Sequence, residues 1–257
     1  MAADPKPGKV PAEVLAYLLK RQVRGSFSHL DTWNQEHAHA FAVAKAVESD
    51  VVSSIKDAVA EAAEEGLPFE AFRKRLTPIL ADLGWWGRQT RVDPITGEEQ
   101  DVQLGSPARL RLIYQTNMRT SRAAGQWERI QKTKRLLPKL RYRHGHPERP
   151  RPLHVEWDGT VLPVDDPWWD THFGQNGYGC TCWVEQVPAS VPTTSESDID
   201  RELVPVRNKR TGRVVKAPRG VDPSFAYNPG KVRPVAGDLP PSPVTKIDPP
   251  ERLPKQK

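Results

Sequence analysis

Apolar positions recur at helical spacing through most of the first 87 residues. Val14, Leu15, Leu18 and Leu19 fall on one face behind Pro11, a residue suited to a helix's first turn. Asp31 is placed to cap a second helix carrying Trp33, His37, Phe41 and Ala44. Asp50 interrupts it and starts a new turn before Val51. Residues 51–65 are rich in Ala and Glu and run into Gly66, which suits a left-handed cap. Pro68 opens a further helix whose stripe is Phe69, Phe72, Leu76, Ile79, Leu80 and Leu83, ended by Gly84. Residues 89–104 read as a polar, exposed β-hairpin around Thr96-Gly97. Ser106-Pro107 then supplies a cap and a first-turn proline for a long helix reaching about Arg135. Along it Leu110, Ile113, Tyr114, Asn117, Met118, Ser121, Gly125 and Ile130 keep a helical period, with Trp127 beside them. At ~1.5 Å per residue that helix is about 40–45 Å long.

From residue 139 to 188 the period shortens to two. Strands are expected at 140–143, 154–157, 160–164 and 182–187, with a hairpin turn at Trp157-Asp158-Gly159-Thr160 because Asp-Gly readily supplies positive φ angles. A linker at 188–197 and a small hairpin around 208–212 follow. From Ala217 onward prolines punctuate every few residues, which predicts an extended tail, held by a partner or disordered. The expected fold class is α+β: a helical N-terminal region (1–87), a long central helix packed on a small antiparallel sheet (88–189), and an extended Pro-rich C-terminal arm (190–257).

Composition sharpens the picture of the arm. Hydrophobic residues make up 37% of the 257, charged residues 27%, and there are 26 prolines; the mean hydropathy is −0.64. That is lean for one large globule and predicts a chain that finishes folding against neighbours in a larger assembly. With two cysteines there is no disulfide framework, which fits a reducing cytosol. No stretch approaches the ~18–20 apolar residues of a membrane span, and Met-Ala-Ala-Asp-Pro does not read as a signal peptide. The net charge of +6 favours an anionic partner.

That charge is concentrated. Arg129, Lys132, Lys134, Arg135, Lys139, Arg141, Arg143, Arg149 and Arg151 lie in one stretch in which Glu148 is the only acid. Such a run can hold DNA non-specifically or meet an acidic protein surface; the plainer alternative is a solvated face at the end of the long helix. Cys180-Thr181-Cys182, with His154 upstream and His144, His146 and His172 nearby, offers zinc-type ligands, although the usual spacing is Cys-x-x-Cys. The reading is no cofactor, with zinc at His154, Cys180 and Cys182 as the alternative. Asp165-Asp166-Pro167-Trp168-Trp169-Asp170 reads as a turn followed by core tryptophans rather than an acid–base pair. Asn117 and Arg119 on an otherwise apolar helix face imply a buried polar network.

In order along the chain stand EHAHAFAVAK (36–45), GWWG (84–87), RLRLIYQTN (109–117), RPRPLH (149–154), DGTVLP (158–163), DDPWWDTH (165–172), NGYGCTC (176–182) and VDPSFAYNPG (221–230). Together they resemble the phage Mu F-like head morphogenesis proteins, over about residues 11–230. The family often has paired prolines where this chain has Gly174-Gln175, and an arginine where it has Thr181. The resemblance implies a minor head (minor capsid) protein of a tailed phage. Its place would be the virion head interior near the portal, at the head–tail junction, after a cytoplasmic stage in the host. It also implies roles in head assembly and DNA packaging, portal or major capsid protein and viral DNA as partners, and no free monomer in the mature state. Asn117, His154, Asp158, Gly159, Asp165, Asp166, Trp169, Cys180 and Cys182 are the family-motif residues, with structural rather than catalytic roles. The alternative is a nucleic-acid- or nucleotide-directed enzyme carried in the virion, with His154, Asp158, Asp165, Asp166 and Arg119 converging on one centre.

Overall fold

The computed structural model describes residues 8–232. Helix α1 (Ala12–Lys20) leads into strand β1 (Gln22–Arg24), a one-turn helix α2 (Glu36–His39) and strand β2 (Ala40–Ala42), which pairs in parallel with β1. Helices α3 (Ser49–Glu65) and α4 (Phe69–Asp82) follow, then the hairpin β3 (Arg88–Val92) and β4 (Glu99–Gln103). Helix α5 (Pro107–Thr133) is the spine of the molecule. Strand β5 (Lys139–Arg143), short helix α6 (Pro152–Glu156), strand β6 (Val161–Pro163), short helix α7 (Trp169–His172) and strand β7 (Trp183–Val187) come next. The sheet is antiparallel with order β6-β5-β7. A last hairpin, β8 (Leu203–Arg207) and β9 (Val214–Pro218), precedes a turn of 3-10 helix at Pro223–Phe225. The fold is α+β, as the pattern predicts.

Most long elements form where their periodicity places them. The Ser106 side chain accepts a hydrogen bond from the Arg109 amide and Pro107 occupies the first turn of α5. Leu110, Tyr114 and Met118 on its first half complete a core with α1, α3, α4 and the hairpin residues Val102 and Leu104. Ala123, Trp127 and Ile130 on its second half complete another with Leu140, Tyr142, Leu162, Val184 and the tryptophans 157, 168 and 169. Helix α1 crosses α5 closely at Gly125, where a Cβ would lie 2.6 Å from Cγ2 of Val14. The stripes of α1 and α4 are narrower than expected: Leu19, Ile79 and Leu83 are exposed. The β3–β4 hairpin is polar and largely exposed, yet its Val102 is buried in the first core.

Three expectations fail. Residues 31–49 are not one helix; positive φ at Asn34 and Lys45 breaks the run, and Trp33, His37 and Phe41 are buried from a loop, the short helix α2 and strand β2 respectively. The Asp31 carboxylate accepts from the preceding amides of Phe27 and Ser28, both at 2.8 Å, so it closes a turn rather than opening a helix. Residues 154–157 are not a strand. Pro152 sits in the first turn of α6, and His154 and Trp157 share its inner face at i and i+3. The turn through Gly159 (φ +87°) therefore joins a helix to β6 rather than two strands.

The third correction concerns the arm. Residues 190–232 are not extended but folded back, with Ala217, Val221, Phe225, Ala226 and Tyr227 buried. Composition underestimated this closure because much of it is polar. Arg210, in the β8–β9 turn, pairs with Asp31 and with Asp93, and its Nη2 lies 2.7 Å from Asp93 Oδ1. The three side chains are 9%, 0% and 1% exposed. Asn208 donates to the Leu30 carbonyl at 2.8 Å, and Arg213 pairs with Glu36. The remaining part of the expected arm, 233–257, lies outside the described residues.

Removing one partner of such a buried group strands the others without compensation, at a cost of about 3–5 kcal/mol. Arg210→Met should lower the urea-unfolding free energy by that order, and Arg210→Met/Asp31→Asn/Asp93→Asn should recover part of it. Burial alone would raise the Asp93 carboxyl, but hydrogen bonds from Arg210 and the Ile95 and Thr96 amides outweigh it and hold the group below its ordinary 3.8. A depressed folded value stabilises the native state above 3.8, and that contribution is lost as the pH falls through the folded value. Acid titration of wild type should show this loss, and Asp93→Asn should flatten it.

Candidate functional site

The basic stretch starts on the last turns of α5, runs through β5 and ends at the entry to α6. Folding brings to it acids that are remote in sequence. Arg129 pairs with Glu13 at 2.6 Å, Lys134 with Asp165 at 2.9 Å, Arg141 with Glu185 at 2.9 Å, and Arg143 with Asp158 at 3.6 Å. Lys139 Nζ donates to the carbonyls of Ala189 and Val191, and Arg151 to that of Tyr178. Among the described residues, Lys132, Arg135 and Arg149 are exposed and are the members of the run not engaged in this way. Leu136, next to Arg135, is 78% exposed. The field of the stretch is thus much weaker than its sequence density suggests.

Asp165 and Asp166 are divided between two cations. Asp165 faces Lys134, while Asp166 caps the Trp168 amide at 2.8 Å and grips Arg201 through both oxygens, at 2.9 and 3.0 Å. Burial would raise the Asp166 carboxyl; Arg201 and the Trp168 amide bring it below its ordinary value. Trp169 is fully buried, its Nε1 donating to the Pro163 carbonyl at 3.0 Å. Asp158 accepts from the His144 amide at 2.9 Å besides meeting Arg143. Arg119 donates to the Cys180 carbonyl at 3.0 Å. The residues of the enzymatic alternative are therefore spread over separate pairings rather than gathered on one reacting atom.

Asn117 does belong to a buried polar network. Its Oδ1 accepts from Arg21 Nη1 at 2.5 Å and its Nδ2 donates to the Ile113 carbonyl at 2.8 Å. Arg21, itself buried, also donates to the Ala40 and His37 carbonyls. His37 packs edge-on against Tyr178, Phe225 and Tyr227, and burial, reinforced by Arg21, lowers it to about 3, so it is neutral at physiological pH. Beside this node lies a cavity of about 450 Å³ with His29, His37, Lys45, Arg109, Asn117 and Tyr178 in its wall. Arg109, lowered to about 10 by burial, is spent on the carbonyls of Ala44, Gln103 and Leu104. Sequence reasoning did not find this cavity, whose walls come from segments far apart in the chain.

Gly174 has φ +96°, which proline cannot adopt, and buried Gln175 donates to the Thr116 carbonyl at 2.9 Å.

The most concentrated chemistry is at His154, Cys180 and Cys182. The three side chains are buried, and His154 Nδ1 lies 3.6 Å from Sγ of each cysteine. The ring's Nε2 is 2.9 Å from the Gly220 carbonyl, and Trp157 stacks on its face with centroids 4.9 Å apart. The hydrogen bond between the two thiols lowers Cys180, and that same contact, with burial, raises Cys182. Among the described residues this is the group of His, Cys and carboxylate side chains arranged to hold a metal ion. His144 and His172 lie outside it. His172 stacks on Trp168 with centroids 3.9 Å apart, and burial lowers it to about 4.

Replacing Asn117 with Ala takes a charge-assisted partner from buried Arg21. Urea denaturation should show a loss of about 1.5–3 kcal/mol, with Asn117→Asp less harmful.

Comparison with known proteins gives a consistent result. The family model described as Phage Mu protein F like protein matches residues 53–185. The chain is 37% identical over 180 residues to a protein named as capsid assembly protein F of Escherichia phage Mu, covering 70% of this chain and 41% of that one. It is 37% identical over 160 residues to the Mu-like prophage FluMu F protein of Haemophilus influenzae, covering 60% and 37%. The chain thus spans about two fifths of the length of these relatives. No solved structure matches it.

Proposed function

Because this chain belongs to the Phage Mu protein F like family, we propose that it is a minor structural protein of a tailed-phage head, acting in head assembly near the portal and not as an enzyme. The observation that carries the reading is the match over 53–185, together with 37% identity to a relative named for capsid assembly. That match covers most of α3, then α4, the β3–β4 hairpin, all of α5, β5 and β6, and the start of β7, so it takes in the spine and parts of both cores. The division of Asp158, Asp165 and Asp166 among three cations supports the structural role over the catalytic one.

On this reading the partner-facing region is the C-terminal end of α5 and the loop entering α6. Lys132, Arg135 and Arg149 supply cations there, and Leu136 offers an apolar contact. Portal or major capsid protein, and the packaged DNA, are the partners; DNA is held without base readout, since charge alone carries no sequence information. In a phage encoding this chain, a nonsense mutation in its gene should block the formation of filled heads, and the chain should co-purify with heads. Filled heads of normal yield without it would contradict the reading.

The DNA component has its own test. The affinity of the purified chain for mixed-sequence duplex should fall steeply between about 50 and 200 mM salt, and Lys132→Ala/Arg135→Ala/Arg149→Ala should reduce the slope by roughly 3. Binding that ignores salt, or an unchanged slope, would remove phosphate contact from the account.

A further inference from the structure

We propose that His154, Cys180 and Cys182 bind one zinc ion, which staples helix α6 to the loop entering β7. The inference stands on geometry and does not depend on the role proposed above. Nδ1 of His154 is 3.6 Å from both sulfurs, and the three donor atoms all lie within 4.8 Å of one another. In a tetrahedral site with Zn–S of about 2.3 Å and Zn–N of about 2.0–2.1 Å, sulfur and nitrogen ligands are about 3.5–3.6 Å apart. The donors therefore stand where the ligands of a single ion stand. Hydrogen bonding does not account for the arrangement equally well. A neutral imidazole nitrogen has one lone pair and accepts one S–H, whereas here two sulfurs approach the same nitrogen at the same distance.

The surroundings fix the ring for this use. A carbonyl oxygen only accepts, so the 2.9 Å contact with Gly220 places the proton on Nε2, and the lone pair of a neutral ring is left on Nδ1, facing the sulfurs. Metal-bound histidines characteristically hand their second N–H to a carbonyl or carboxylate in this way. Trp157 stacked on the ring and the i, i+3 placement of His154 and Trp157 on α6 hold its plane. On the sulfur side, Arg119 fixes the loop by donating to the Cys180 carbonyl. Both thiols turn toward the same nitrogen from the loop entering β7, so Cys-x-Cys serves here in place of Cys-x-x-Cys.

Soft sulfur donors with an imidazole select zinc over magnesium or calcium, which take oxygen. On binding, both thiols release their protons to solvent, and two thiolates with a neutral imidazole leave the buried centre uncharged. Among the described residues no fourth His, Cys, Asp or Glu joins the group, and a three-ligand zinc site takes water as its fourth ligand. The ion would link α6 and the loop before β7 directly, and through the Nε2 bond it would reach Gly220 in the folded-back C-terminal segment.

The test uses the full chain purified without chelators. Elemental analysis should find about one zinc per chain in wild type and roughly a tenth or less in Cys180→Ser/Cys182→Ser. Apoprotein titrated with Co²⁺ should develop thiolate-to-cobalt charge-transfer absorption and intense tetrahedral d–d bands, and chelation should lower the Tm. Should the double variant fail to fold, His154→Cys provides the check, since a third thiolate should keep the ion and strengthen the charge-transfer band. Wild type that carries no zinc and gives no thiolate–cobalt absorption would overturn the proposal. So would a Cys180–Cys182 disulfide in protein freshly purified under reducing conditions.

Discussion

The structure depends on one buried guanidinium. Arg210 reaches from the last hairpin to Asp31 and Asp93, carboxylates 179 and 117 residues earlier in the chain. Each acid is also fixed by its own loop: Asp31 by the Phe27 and Ser28 amides, Asp93 by the Ile95 amide at 2.9 Å. The cation therefore meets two preorganised anions rather than two flexible side chains. With that tie made, the segment after β9 lies against the body, and Phe225 and Tyr227 can close on His37 while Gly220 receives the His154 ring. Desolvating three charges is costly, and what they return is a unique placement of the C-terminal segment as much as stability.

Helix α5 transmits this order through the molecule. Its first half belongs to the core formed with α1, α3 and α4, and its second half to the core built on the sheet. Between them lie buried Asn117, Thr120 and Ser121, a polar waist that receives Arg21 from one side and Gln175 from the other. This arrangement explains why polar residues interrupt an otherwise apolar face. They are where two cores meet and where buried backbone carbonyls need donors.

How much was legible in the sequence follows from how each part is held. Helices α3, α4 and α5 and the hairpins were readable because local periodicity, caps and turn residues determine them. The 31–49 region was misread as one helix because Trp33 and Phe41 happen to share helical spacing, while positive φ at Asn34 and Lys45 breaks the run and Phe41 is buried from β2. Residues 154–157 alternate like a strand, but Pro152 commits them to a helix. The folded-back C-terminal segment was invisible to hydropathy because ion pairs and a few apolar side chains scattered among polar ones, not a continuous apolar run, dock it. The basic stretch was found, yet its strength was overstated: Glu13, Asp165 and Glu185 are neighbours only in space. The meeting of His154 with Cys180 and Cys182 needed the fold, since spacing alone argued against it. Its signal in the sequence was the two-residue cysteine interval with a histidine upstream.

The described chain closes on itself through residue 232, with Ala217, Val221, Phe225 and Tyr227 buried against its own body. Hydrogen–deuterium exchange on the isolated chain at low concentration addresses this closure directly. Amides of β9 and of residues 221–232 should be protected to a degree comparable with β5 and β7. Exchange of those amides at unfolded rates, while α5 and the sheet stay protected, would show instead that the C-terminal segment waits for a partner and that the Arg210 tie does not hold it.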